Sequence, residues 1–276
     1  TCVFDSGPHN STPTVRNLNI LAHTSGAGEL ILTGYSDITL GGSAGNAHTG
    51  GTSIIHARVY LDKSAGSAVP GALVTENSYV NWRRSNQMSD TSPLTLNGLF
   101  NLNGYNETVG PLTLLGARID TAAGLLTLNG DVVVGDSDNS SIPAQDKGSG
   151  FSGKLELGTV PPRTVGRRIT VRDGFSLGIT SAVSGSNAAL RKEGRGELYL
   201  GGANTYSTRT DIIEGVVRIN SNTSLGTSGS PTYVGAAGRL EAKADIGAIA
   251  EPLDIADHTI DGYVQTAIRK IGRAHV

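Results

Sequence analysis

Gly41-Gly42-Ser43-Ala44-Gly45 spells the G-x-S-x-G frame that, on a strand-to-helix turn, presents a serine as a nucleophile. The residues after it, Asn46-Ala47-His48-Thr49-Gly50-Gly51, carry no helical pattern, so the frame reads as a Gly/Ser loop. Gly148-Ser149-Gly150-Phe151-Ser152-Gly153 has the letters of a dinucleotide fingerprint but runs into the strand-like Lys154-Leu155-Glu156-Leu157. Without a helix N-terminus it offers no anion site. Asp131, Asp136, Asp138 and Asn139 form the densest acidic loop and a candidate calcium ligand set. They lack the sharp-turn Gly and the bidentate Glu of such loops and read as a solvated turn. Trp82 beside Arg83 and Arg84 allows either a sugar-stacking platform or a buried ring. Arg163, Arg167, Arg168 and Arg172 read as a solvated basic face. His9, His23, His48, His56 and His258 show no metal-ligand spacing, and no cofactor is expected.

A polysaccharide lyase or glycoside hydrolase built on stacked coils would place its carboxylates at one recurring rung position. Glu29, Asp62, Glu107, Asp120, Asp131, Glu156, Glu197 and Asp211 fall at differing places in the repeating unit, which favours a non-enzymatic reading.

The elements that carry these residues are strands. Glycine accounts for 38 of 276 residues, about twice the roughly 7% usual in proteins, while aromatic residues are 5% and charged residues 17%. Short Val/Ile/Leu/Thr segments alternate with Gly, Asn, Asp and Ser, and no amphipathic helical run of useful length occurs. The fold class is all-β. A net charge of −2 gives no electrostatic case for nucleic acid, and no run approaches the ~18 apolar residues of a membrane-spanning helix. The single cysteine, Cys2, excludes an internal disulfide framework.

Leu94-Thr95-Leu96-Asn97-Gly98 returns as Leu126-Thr127-Leu128-Asn129-Gly130, with Leu112-Thr113-Leu114-Leu115-Gly116 between them. In each Leu-x-Leu both leucines lie on one face and the threonine on the other. Short sides of this kind suit a solenoid with about 18 to 20 residues per turn, near the lower end of repeat periods. Asn97, Asn103 and Asn129 then mark corners, with their amides able to stack on asparagines of the next coil. An antiparallel meander turning at the Asn-Gly pairs is the rival, but its strands would be too short. A longer unit also recurs. Gly26-Ala27-Gly28-Glu29-Leu30-Ile31-Leu32 matches Gly194-Arg195-Gly196-Glu197-Leu198-Tyr199-Leu200, and the block from Asn46 to Ile55 matches that from Asn204 to Ile213. Val59-Tyr60-Leu61 then falls opposite Val217-Arg218-Ile219, and Gly34 to Gly45 reads as an extra loop in the first copy.

The run from Leu190 to Tyr206, continued by Gly215-Val216-Val217-Arg218-Ile219 and Ser224-Leu225-Gly226, resembles the autotransporter-associated β-strand repeat. That family's usual form is L-K-x-G-x-G-T-L-x-L-x-G-x-N-T-Y-T-G-x-T, then G-T-L-x-V and A-L-G. The positions carrying the resemblance are Gly26, Gly28, Leu30, Leu32 and Asn46 in one copy, and Gly194, Gly196, Leu198, Leu200, Asn204, Tyr206, Gly215, Leu225 and Gly226 in the other. Glu29 and Glu197 replace the usual Thr, Thr208-Arg209 a Gly pair, and His48 stands where the second copy has Tyr206; all are expected outward or in turns. His258 to Lys270 fits poorly.

The resemblance implies a right-handed parallel β-helix with short strands and Gly/Asn corners, acting as a non-catalytic passenger segment. Such a segment is an elongated stalk or adhesin-type scaffold, secreted or at the surface of a Gram-negative-type bacterium. Its expected partners are a surface ligand such as a glycan or a host or matrix protein, and an outer-membrane translocator barrel on the parent chain. No nucleic acid and no transmembrane segment is expected in this stretch. Residues 1–270 read as a single β-solenoid fragment, with repeat copies near 26–74 and 190–242 and linking coils at 90–135. The last six residues, 271–276, look like the translation of a short-read sequencing adapter, which marks the chain as metagenomic in type and sets His275 aside as a ligand.

Overall fold

A computed structural model describes residues 1–7, 17–136, 147–159, 166–227, 229, 231–243, 246–249, 251–256, 259–260, 263–264 and 267–271. These residues contain strands and turns and no helix, and all ladders but one are parallel. The chain forms two compact units, Thr1–Gly130 and Asp131–Val276, and both are parallel β-solenoids.

In the first unit three strand columns make the sides. One side stacks Cys2–Asp5, Leu30–Thr33, Thr52–Ile55, Leu73–Glu76, Leu94–Leu96 and Leu112–Leu114. The second stacks Leu18–Ile20, Asp37–Gly42, Arg58–Lys63, Ser78–Trp82, Gly98–Asn101 and the start of Arg118–Leu128. The third includes Ser25–Gly26 on Ala47–His48, the Val69–Met88 bridge, and Glu107–Val109 on the end of Arg118–Leu128. Leu94 pairs with Leu112, 18 residues on, and Leu30 with Thr52, 22 residues on, so the coils run somewhat longer than the Leu-x-Leu spacing alone implies.

The alternation explains the core. Ile38, Val59, Val80, Phe100 and Ile119 lie under one another on the second side, all buried. Each such side chain contributes about 1.5–3 kcal/mol by leaving water. The threonines between leucines, Thr95 and Thr113, face outward and are only part-covered. Asn97 is a one-residue corner: the strands on either side of it run parallel to strands of neighbouring coils and not to each other. Gly98 after it has φ +119°, and a Cβ there would lie 2.1 Å from the Ser78 carbonyl oxygen, so only glycine fits.

In the second unit one side stacks Val132–Val134, Arg167–Val171, Leu190–Glu193, the first half of Thr210–Ile219, the first half of Thr232–Lys243 and Leu253–Ile255. A second stacks the first half of Gly148–Glu156, Ser176–Ile179, Glu197–Leu200, the later halves of the two long strands and Ile268–Ile271. Lys154–Glu156 on Ala182–Ser184 belongs to a third. Between His258 and Lys270, where the repeat pattern fades, Thr259–Ile260 and Tyr263–Val264 form a short antiparallel pair.

The register corrects the first repeat copy. Gly34 to Gly45 is not an extra loop: Asp37–Gly42 is a strand, with Ile38 and Leu40 in the core. Leu30 pairs forward with Thr52 as Leu190 does with Thr210, and Ile38 with Val59 as Leu198 does with Val217. The structural counterparts of Leu198 and Leu200 are therefore Ile38 and Leu40, and Leu30 corresponds to Leu190. The Gly28-x-Leu30 and Gly196-x-Leu198 letters coincide because every coil reuses the same short alternation. From Asn46 onward the two copies align as the letters do.

Candidate functional site

The corners hold the most regular polar chemistry in the molecule. The side chain of Asn46 accepts from the Thr24 N–H at 3.1 Å and donates to the Ala68 carbonyl at 2.7 Å. Asn204 accepts from the Val183 N–H at 2.9 Å and donates to the Ser224 carbonyl. Asn97 accepts from the Asn77 N–H at 2.7 Å and donates to the Leu115 carbonyl. Each amide thus joins backbone groups one coil before and one coil after its own. The expected amide-on-amide stack does not form, because both ends of the amide are already taken by backbone groups. An aspartate could not replace it, since a carboxylate only accepts.

Two residues after each of Asn46 and Asn204 comes a ring, His48 or Tyr206, and four residues after that a threonine hydroxyl. His48 Nε2 lies 2.8 Å from Thr52 Oγ1 and its Nδ1 2.9 Å from Thr24 Oγ1. Tyr206 sets its hydroxyl 2.7 Å from Thr210 Oγ1, which donates to the Leu225 carbonyl. Both rings are buried, so this position is inward, and the outward placement expected for His48 is overturned. Burial lowers the His48 pKa and raises that of the Tyr206 hydroxyl, keeping both neutral. Of the other repeat positions, Leu30, Leu32, Leu198, Leu200 and Leu225 are core residues. Gly194, Gly215 and Gly226 have positive φ and sit against neighbouring coils, as does Gly196 with an ordinary φ. Gly26 has positive φ in open space, and Gly28 is exposed.

Trp82 is no sugar platform: it is buried and donates its indole N–H to Glu107 Oε2 at 2.7 Å. The same oxygen accepts the Gln87 N–H at 2.7 Å, and Oε1 receives a longer bond of 3.3 Å from the Thr108 N–H. Burial outweighs these donors and pushes the Glu107 carboxyl up to about 7. Gln87 links this group to the coil before, accepting from the Lys63 N–H at 2.7 Å and donating to the Lys63 carbonyl at 3.0 Å. Lys63 itself is buried, with Nζ on the Ala22 carbonyl at 3.0 Å and a pKa lowered by desolvation. In the second unit Lys192 occupies the core position of a Leu-x-Leu word. Its Nζ donates to the carbonyls of Glu193 (2.9 Å), Glu214 (3.0 Å) and Gly194, and burial brings its pKa down to about 8. The sequence did carry this signal: in Glu107-Thr108-Val109 and Leu190-Arg191-Lys192, alternation from the apolar residue assigns the polar one inward.

The remaining candidates are engaged in structure. Asp131 takes the Arg168 N–H at 3.0 Å and lies 3.8 Å from the Arg167 guanidinium, so it is not a free calcium ligand; Asp138 and Asn139 lie outside the described residues. Arg167 is not on a solvated face: it is buried and donates to the Leu157 and Thr159 carbonyls at 2.9 and 3.1 Å. Arg163, His9 and His258 also fall outside the described residues. Ser43 follows a strand and enters a turn, not a helix.

Among the eight scattered carboxylates, Glu29 accepts from Ser53, Asp62 pairs with Arg84 at 2.8 Å and Glu197 with Arg218 at 2.6 Å. Asp120 caps its own turn by accepting from Ala122, and the buried Asp211 is held by Arg209 at 2.5 Å. Among the described residues no three His, Cys, Asp or Glu side chains gather as a metal site. No family, curated protein or solved structure matches this chain.

Proposed function

We propose that this chain is a non-catalytic scaffold: a stalk- or adhesin-type passenger segment of an autotransporter-like bacterial surface protein. The observation that carries the reading is the corner asparagine, seen at Asn46, Asn97 and Asn204, which bonds the coils above and below through both its oxygen and its NH₂ group. Leucines and valines fill many inward positions, and the buried Lys192 bonds backbone carbonyls, features that serve stacking. A chain whose coils need only their neighbours can fold progressively from one end as it emerges from a translocator pore. The Leu190–Tyr206 motif points the same way. The partners in this reading are a translocator barrel encoded with the passenger and a ligand met at the cell surface.

The test is display. Residues 1–270 are placed between a bacterial signal peptide and an outer-membrane translocator barrel, and surface exposure is read by antibody labelling and protease shaving of intact cells. The expected result is a folded, cell-surface segment. Retention in the periplasm would overturn the passenger reading. Release of reducing ends or unsaturated uronide from a polysaccharide panel by the purified chain would replace it with the β-helix lyase or hydrolase alternative.

A further inference from the structure

On the second side of the first unit the outward residues form two adjacent columns across successive rungs. One runs Asp37, Arg58, Tyr79, Leu99, Arg118, and the other Thr39, Tyr60, Asn81, Asn101, Asp120. Tyr79 and Leu99 are 46% and 42% exposed, which is unusual for an aromatic and a leucine side by side. The Arg58 guanidinium lies 5.7 Å from the Tyr79 ring centre, and that of Arg83 only 3.9 Å from the Tyr60 ring centre. Both rings are thereby held in place by cations.

The named charges on this face sum to +1: Arg58, Arg83, Arg84 and Arg118 stand against Asp37, Asp62 and Asp120, and the hydrogen bond from Ala122 leaves the Asp120 charge in place. Asp37 is paired with Arg58, Asp62 with Arg84, and Asp120 accepts a hydrogen bond from its own turn at Ala122. Arg83 and Arg118 have no carboxylate partner among the described residues, and the Asn81 amide has no hydrogen-bond partner among them. Rungs rise about 4.8 Å apart, so Arg118 stands about two rungs from Tyr79 along the column. The face therefore offers an apolar ring face, an amide and the Arg83 guanidinium in succession along one rung, with the Arg118 guanidinium two rungs on, beside Asp120. Aromatic faces stack on the C–H face of a pyranose, asparagine amides bond its hydroxyls, and guanidinium takes a carboxylate or sulfate bidentately.

We infer that the face formed by Tyr60, Tyr79, Asn81, Leu99, Arg83 and Arg118 binds an acidic polysaccharide, a chain of sugars bearing carboxylate or sulfate groups. This deepens the surface-adhesin reading and rests on it for its biological meaning, but the binding itself is measured without display. A segment that reaches the surface yet binds no glycan fails only this inference; one that binds but is not displayed fails only the other.

The full chain is titrated by calorimetry with polygalacturonate, heparin, dextran and duplex DNA, alongside R83Q, R118Q, Y79A and the distant R195Q, each checked for an unchanged circular dichroism spectrum. The expected result is saturable binding of polygalacturonate or heparin, with no binding of dextran or DNA. R83Q, R118Q and Y79A each weaken it on the order of tenfold while R195Q leaves it unchanged. The two acidic polymers distinguish carboxylate from sulfate as the preferred group. Absence of binding to both acidic polymers, equal binding of dextran or DNA, or indifference to all three substitutions would each overturn the inference.

Discussion

Glu107 makes the chain's stability depend on pH in a direction opposite to most carboxylates. Its carboxyl is buried against Trp82 and the Gln87 N–H, and burial lifts its pKa from the ordinary 4.5 to about 7. A raised folded pKa means that the folded state holds the proton more tightly than the unfolded chain. The stabilisation is thus complete below pH 4.5 and is lost as pH rises through 7. The linkage relation gives about 2.5 kcal/mol lost between pH 5 and pH 8.5, from a shift of about 2.5 units. Glu107→Gln fixes the neutral form. Its amide oxygen can still accept from Trp82 and Gln87, while its NH₂ meets the Thr108 N–H and is a poorer neighbour than a carboxylate oxygen for the backbone donors around it, Met88 included. The substitution should cost stability at pH 5 and recover most or all of it by pH 8.5.

Trp82 is the single tryptophan and touches the titrating group, so its emission reports both the ionisation and local unfolding. Stacked coils need not unfold in one step, which makes this local probe preferable to a global melt. The native emission should titrate with a midpoint near 7 in the parent chain and not at all in E107Q. Urea midpoints followed at the same probe should converge between the two proteins as pH rises. Parallel urea midpoints from pH 5 to 8.5, or a parent chain that gains on the variant at high pH, would refute the reasoning, because the N–H donors of Trp82, Gln87, Thr108 and Met88 would then outweigh burial.

Lys192 has the opposite sign: its folded pKa is brought down to about 8 by burial, so its contribution is full above pH 10.5 and is lost as pH falls through 8. Relative to Lys192→Met, the parent should gain about 3 kcal/mol between pH 7.5 and 10.5, read from urea midpoints of the second unit. Asn204→Ala leaves the Val183 N–H and the Ser224 carbonyl without partners and should cost about 2–4 kcal/mol, with faster hydrogen exchange at the Val183 amide as the local readout. Gly215→Ala combines φ +75° with a Cβ 2.4 Å from the Gly194 carbonyl oxygen, whereas Gly26→Ala has φ +106° in open space. The first should therefore destabilise by clearly more than the ~1–2 kcal/mol of backbone strain expected of the second, measured as a difference in thermal midpoints.

The all-β class, the parallel coil and the inward leucines were legible because Leu-Thr-Leu states its own faces, and Asn97 was legible as a corner because the sides were too short for hairpins. What the letters hid was coil phase. Every coil repeats nearly the same word, so Gly28-x-Leu30 could be laid on Gly196-x-Leu198 although the true counterpart of Leu198 is Ile38. Only the ladder, a contact some twenty residues away in sequence, fixes the phase. The buried polar groups were hidden for a related reason. Lys63 and Arg167 look like surface residues by type, and their inward places follow only once the phase of each strand is known. The face carrying Tyr79 does not show in the sequence because its members come from four separate strands.

The two sides of one strand column then divide the work of the molecule. Inward, Ile38, Val59, Val80, Phe100 and Ile119 vary in shape but not in character, since each must bury the same kind of surface against the coil above and below. Outward, on the same rungs, Asp37, Arg58, Tyr79, Leu99 and Arg118 present an acid, two bases, a phenol and an alkyl group. Part of that variety serves the ladder, since Asp37 pairs with Arg58 and Arg58 lies over the Tyr79 ring on adjacent rungs, whereas Leu99 and Arg118 have no such ion-pair or ring contact among the described residues. An exposed tyrosine and leucine also leave apolar surface in water without helping the fold. Leu99 and Arg118, beside the exposed Tyr79, are where the inferred glycan would have its claim on the column. R83Q, R118Q and Y79A should accordingly change glycan binding while leaving the Trp82 reporter on the inner side of the same rungs unmoved.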